Sequence, residues 1–163
     1  MLKVGDKLPK FKLQNDEGDW VSEKDLLGLK KKILIYFYPK DDTPGCTNEA
    51  CGFRDFRYEL QDAGVEVIGI SKDSVASHQK FKKKYKLNFM LLSDGSTETI
   101  AAFGAWQEKS MYGKGTLMSK TKKYIGVERI SYLFDEKGKV MQVYGKVSTK
   151  EQEHVKQVLG GLK

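Results

Sequence analysis

Apolar residues in this chain alternate between two spacings. "KKKILIYFY" joins β-branched and aromatic residues without a polar break, between a charged stretch and Pro39, and predicts a buried central strand at 33–38. "VEVIGIS" (65–71) and the shorter "FMLL" (89–92) predict two more strands. "ISYLF" (130–134) and "KVMQVY" (139–144) flank "DEKG", whose residues suit a hairpin turn. Between these runs the apolar spacing is helical. One helix is predicted from Thr43 to about Ala63, with Ala50, Phe53, Phe56 and Leu60 on one face. Others are expected at about 74–85, near 96–103 up to Gly104, and at about 148–159 with Val155, Val158 and Leu159 inward.

The resulting order is β-α-β-α-β-α, then a hairpin, then a helix. It predicts an α/β fold with a central mixed sheet flanked by helices. "FKLQNDEGDWVS" adds an N-terminal hairpin extension. Residues 104–128, rich in Gly and Lys, read as an irregular surface excursion. With 163 residues and no linker-like stretch, one domain spanning 1–163 is expected.

Charge changes this picture little. The net charge is +7, but only Arg54, Arg57 and Arg129 among the 29 basic residues are arginine, the residue best suited to reading bases and gripping phosphates. The lysines are spread along the chain and read as a solvated surface rather than a nucleic-acid footprint. The densest basic stretch, "KFKKKYK" (80–86), reads as a helix end with Phe81 and Tyr85 inward. "MLKVGDKLPKF" has no apolar core of a signal peptide, and no run has the length of a membrane span. A cytoplasmic protein without membrane contact is expected. In that compartment two neighbouring cysteines point to redox chemistry rather than to a structural bridge.

Those cysteines, Cys46 and Cys51, lie in "TPGCTNEAC". Thr43 and Pro44 make a helix start, with a capping hydroxyl followed by proline at the first helical position. Cys46 then falls in the first turn, where unsatisfied N–H groups and the helix dipole favour an anion, here the thiolate. Five residues along an intact helix advance about 7.5 Å and rotate a net 140° or so. Cys46 therefore projects near the apolar face and Cys51 to the opposite side.

"FYPKDDTPGCTNEACGFRD" resembles the active-site loop of the peroxiredoxins, with Pro39, Thr43 and Cys46 in the P-x-x-x-T-x-x-C pattern. The second cysteine five residues on is similar to the bacterioferritin comigratory protein (peroxiredoxin Q) subfamily. "VIGISKDSVASHQKF", "LLSDGS", "FGAWQEKSMYGK" and "ERISYLFDEKGKV" extend the likeness over nearly the whole chain. "GTLMSKTKK" (115–123) departs from it as an insertion. The resemblance implies an AhpC/TSA-type domain with a thioredoxin-like fold, reducing hydrogen peroxide or alkyl hydroperoxides to water or alcohols. Cys46 is implied as the peroxidatic nucleophile, and Cys51 as the resolving partner in an intramolecular disulfide. Thr43 and Arg129 would complete the peroxide site and Pro39 would shield it. Thioredoxin or a similar dithiol protein is the implied reductant. The implied state is a monomer, with a homodimer left open.

The neighbours matter for a quantitative reason. Ionising an ordinary thiol almost completely at pH 7 gains about 30-fold in thiolate. The accompanying loss of intrinsic nucleophilicity removes roughly tenfold. Fast peroxide reduction therefore needs donors that stabilise charge developing on the departing oxygen. Arg129, at the entrance of the 130–134 strand, is the natural guanidinium, and Glu49, one turn after Cys46, is placed to orient it.

His78 and His154 lie among polar residues in helical patterns and read as solvated, which argues against a Cys–His hydrolase. The C-x4-C spacing suits neither zinc nor a disulfide oxidoreductase with a close cysteine pair. Trp20, Trp106 and Tyr112 read as packing residues. No cofactor or metal is expected. The competing readings are a general thiol–disulfide oxidoreductase on the same fold and a basic binding protein with incidental cysteines.

Overall fold

In the computed structural model, residues 1–111, 122–145, 154, 156–158 and 160 are described. The strands are β1 (Lys12–Asn15), β2 (Trp20–Ser22), β3 (Lys32–Phe37), β4 (Val65–Ser71), β5 (Met90–Ser93), β6 (Trp106–Met111), β7 (Lys122–Val127), β8 (Ser131–Phe134) and β9 (Val140–Tyr144). The helices are α1 (Glu23–Leu27), α2 (Pro44–Asp55), α3 (Arg57–Asp62), α4 (Val75–Tyr85) and α5 (Glu98–Ala102). Among the described residues, seven strands form one mixed sheet in the order β2-β1-β5-β4-β3-β8-β9. β3, β4 and β5 run parallel. β8 pairs antiparallel with β3, and the β1–β2 hairpin is added antiparallel to β5. The expected mixed sheet, its antiparallel edge and the N-terminal hairpin are all present.

The apolar run of β3 is buried because both of its faces are covered. Ile33, Ile35 and Phe37 enter one core with Phe103, Ile130, Tyr132 and Phe134. Leu34, Tyr36 and the following Tyr38 face the other core, with Cys46, Ala50 and Phe53 of α2. The Tyr36 ring lies 4.7 Å from that of Phe53. Gly69 makes room for it, since a Cβ there would come within 2.9 Å of the Tyr36 hydroxyl. That explains a glycine in the middle of a buried strand.

Four expectations are corrected. The helix expected over 43–63 breaks at Phe56, which at φ −99° and ψ 16° leaves helical geometry. The break lets Leu60 reach the core while Arg57 pairs with Glu66 at 2.9 Å. Residues 104–128 are not wholly irregular, because β6 and β7 form an antiparallel ribbon with Trp106 opposite Val127. Its backbone pairing needs no apolar alternation, and Ile125 is 62% exposed. Tyr112 and most of the 115–123 insertion lie outside the described residues. Trp20 does not pack but is 60% exposed, with the Lys12 ammonium 5.7 Å from its ring centroid. The fourth correction concerns the histidines, since both are buried. His78 shares the inward face of α4 with Phe81, and its ring nitrogens lie 2.7 Å from Asp41 Oδ2 and 3.0 Å from the Leu92 carbonyl oxygen. His154 Nε2 lies 2.7 Å from Ser131 Oγ, and its ring packs edge-on against Phe53 and Tyr144.

The described residues of the C-terminal segment are helical, with Val158 buried as expected, whereas Val155 and Leu159 lie outside the description. Among the described residues no helix is long and apolar enough to cross a membrane.

Burial lowers the pKa of His154 to about 4. The folded chain therefore keeps this ring neutral at pH values where the unfolded chain, with histidine near 6.5, binds a proton. Acidification should weaken the fold progressively from about pH 6.5 to about pH 4, by up to roughly 3 kcal/mol from this group, with no further loss below. Urea unfolding across that range, compared with His154→Gln, checks this: the difference between the two proteins should change with pH only inside the window.

Candidate active site

The residues between β3 and the first turn of α2 form a tight bend. Thr43 occupies the N-cap position of α2 with Pro44 behind it, as its sequence predicts. Its hydroxyl does not cap the helix, however, and instead donates to the Lys40 carbonyl oxygen at 2.8 Å. This leaves the first-turn N–H groups without a side-chain acceptor from the cap. Cys46 follows in that turn and is 1% exposed. Pro39, at the other side of the bend, is half-buried.

Arg129 reaches the same spot from the opposite direction. β8 pairs with β3 so that Tyr36 lies opposite Ser131, and the Phe37 N–H donates to the Ile130 carbonyl oxygen at 2.9 Å. Arg129, two residues before Ser131, is thereby carried to the end of β3 from which α2 departs. Its Nη2 donates to Cys46 Sγ at 3.1 Å. Its Nη1 lies 3.7 Å from Oε1 of Glu49, which is 1% exposed. Glu49 sits on α2 one turn after Cys46, so the helix that carries the thiol also holds the carboxylate of the ion pair.

Cys51 occupies the other side of α2 and is half-buried, and both thiols are free. Burial raises the pKa of Cys51, with Asp55 adding to the shift and Arg54 opposing it. α2 is continuous through both positions. In a regular helix, residues five apart have Cα atoms roughly 8.6 Å apart and side chains about 140° apart. A disulfide needs Cα atoms within about 7 Å and converging Cβ directions. The pair cannot close while α2 is intact.

Residues 4–143 match the AhpC/TSA family. The chain belongs to that family. It is 50% identical over 161 residues to a putative peroxiredoxin bcp of Coxiella burnetii, covering 99% of each chain. It is 44% identical to peroxiredoxin Bcp of Escherichia coli K12, covering 99% of this chain and 96% of the other. A solved structure of the Xanthomonas campestris bacterioferritin comigratory protein superposes with a TM-score of 0.81 at 34% identity, covering 96% of this chain and 97% of that one. That structure is described together with its alkyl peroxide reduction activity. The chain is thus a peroxiredoxin with a thioredoxin-like fold, and a thiol peroxidase.

Other residues around the family site had no expected role. Tyr36 packs beneath α2, and its phenol is raised well above the ordinary tyrosine value, chiefly by burial and next by the Glu49 carboxylate, so the ring stays neutral. Tyr38 donates to Asp41 at 2.6 Å, and Tyr85 donates to Asp42 at 2.6 Å. The signal in the sequence was "KDD", two acids directly before the threonine–proline helix start.

Proposed function

We propose that Cys46 is the peroxidatic cysteine and Cys51 the resolving one, with Arg129, Thr43, Pro39 and Glu49 serving the peroxide step. The observation that carries this reading is the Arg129 Nη2 donation to Cys46 Sγ at 3.1 Å, on a guanidinium paired with buried Glu49. The Cys46 thiolate attacks one oxygen of a hydroperoxide and the O–O bond breaks. The departing oxygen takes a proton and leaves as water or an alcohol, and Cys46 becomes a sulfenic acid. The first-turn N–H groups and Arg129 stabilise the charge passing to the departing oxygen. The Cys51 sulfur then attacks the Cys46 sulfur, water leaves, and a Cys46–Cys51 disulfide forms. A dithiol reductant of the thioredoxin type restores both thiols by exchange.

Alkyl hydroperoxides join hydrogen peroxide as substrates in this reading, supported by the activity described for the Xanthomonas campestris relative. Because both cysteines of the cycle lie on one helix, a monomer suffices. A cycle that ends on a reduced dithiol protein belongs in a compartment where such proteins are kept reduced, the cytoplasm.

Reduced protein mixed with one equivalent of hydrogen peroxide should lose both thiols within seconds, as counted with DTNB. Thiols that persist for hours would contradict the assignment. Reduction of insulin disulfides without peroxide would favour a general oxidoreductase.

A further inference from the structure

α4 touches the bend before α2 at two successive carboxylates. Asp41 is 7% exposed and is held from three directions. Tyr38 Oη donates to its Oδ1 at 2.6 Å, Ser77 Oγ donates to its Oδ2 at 2.8 Å, and His78 Nδ1 lies 2.7 Å from the same Oδ2. The Asp41 N–H in turn donates to Asp73 Oδ2 at 2.9 Å, and that oxygen also accepts from Ser71 Oγ at 2.7 Å. Asp42 follows with φ 57°, in the left-handed region that aspartate tolerates better than most residues. Lys84 Nζ donates to its Oδ2 at 2.8 Å and Tyr85 Oη to its Oδ1 at 2.6 Å.

The far end of α2 is fastened to the same place. Arg54 Nη1 donates to the Tyr85 carbonyl oxygen at 2.7 Å, and Asn88 Nδ2 donates to the Arg54 carbonyl oxygen at 3.3 Å. Tyr85 therefore grips the chain twice: its hydroxyl holds Asp42 before the helix, and its main chain holds Arg54 near the end. Both cysteines lie in the segment between these grips, residues 43–53. This is the part of α2 that must unwind for the two sulfurs to meet.

We propose that Tyr85 and His78 are positioning residues for the peroxide step, acting through Asp42, Arg54 and Asp41 to hold both ends of the 43–53 segment. They favour its folded, peroxide-reactive form and confine unwinding to the residues between the grips. The proposal rests on the roles given above to Cys46 and Cys51. It has a signature that general destabilisation lacks. Weakening a grip should slow attack on peroxide, which needs the folded segment, and speed disulfide formation, which needs the unwound one.

Tyr85→Phe removes one hydroxyl from a half-exposed ring that still packs edge-on against Phe81. Stopped-flow measurement should show kcat/KM for hydrogen peroxide falling by about threefold to tenfold, and conversion of sulfenic acid to disulfide quickening by a similar factor. His78→Gln should move both rates the same way, and Tyr85→Phe keeps the test decisive if that buried variant fails to fold. Leu13→Ala, in the other core, should lower the melting temperature while leaving both rates within about twofold of wild type. If both rates in Tyr85→Phe stay at wild type, or fall together, the positioning role is wrong while the cysteine assignment stands. If wild-type protein fails to lose its thiols to peroxide, the cysteine assignment itself is wrong.

Discussion

Cys46→Ser should abolish peroxide consumption, whereas Cys51→Ser should react once per molecule and stop at a sulfenic acid. The asymmetry follows from where α2 places the two thiols. Cys46 is in the first turn, against the Arg129 guanidinium, where a departing oxygen would find donors. Cys51 has neither, and burial holds its thiol in the protonated form. A serine at 46 offers no comparable nucleophile at neutral pH. A serine at 51 leaves the first step intact and removes the only partner within the helix. Further peroxide should then carry Cys46 irreversibly to sulfinic acid, a step that the nearby Cys51 thiol should prevent in wild-type protein. Dimedone labelling and intact mass after one and ten equivalents of peroxide read all of this. A first turnover completed by Cys46→Ser but not by Cys51→Ser would show that the two roles are reversed.

Arg129→Met should slow the peroxide step by at least about tenfold, roughly 1.4 kcal/mol of transition-state stabilisation. It should also weaken the fold, since it takes the cation from a carboxylate that is 1% exposed. Removing one partner of a buried pair costs about 3 kcal/mol. The two effects can be separated. Adding Glu49→Gln to Arg129→Met removes the buried charge and should restore much of the stability, while the peroxide rate stays low. Wild-type peroxide kinetics in Arg129→Met would remove Arg129 from the chemistry and leave it a structural counter-ion.

The strands were legible because their apolar runs are continuous and bounded: "VEVIGIS" is β4 residue for residue. The start of α2 was legible because its determinants are local, a threonine and proline at the helix start with a cysteine in the first turn. Arg129 stood out through the resemblance and its position at the entrance of the 130–134 strand, and the pairing of β8 with β3 brings it to Cys46. The β6–β7 ribbon was missed because "WQEKSM" and "KKYIGV" form a strand pair through backbone bonds with little apolar pattern to mark them. The break at Phe56 has no proline or glycine to announce it. His78 and His154 looked solvated because their burial depends on partners far away in sequence: Asp41 and the Leu92 carbonyl for one, Ser131 for the other. The α4 grip on Asp41 and Asp42 was hidden for the same reason, since its contacts span 36 to 43 residues of sequence.

In the proposed cycle one helix serves two incompatible steps, folded to attack peroxide and unwound to close the Cys46–Cys51 bond. Amide hydrogen exchange of the reduced and the peroxide-oxidised protein, read by mass spectrometry, tests it most directly. With the Cys46–Cys51 disulfide confirmed in the oxidised sample, amides from about residue 44 to 54 should exchange much faster there than in the reduced protein, and β3 and β4 should stay equally protected in both. Equal protection of that segment in the two states would contradict the unwinding mechanism.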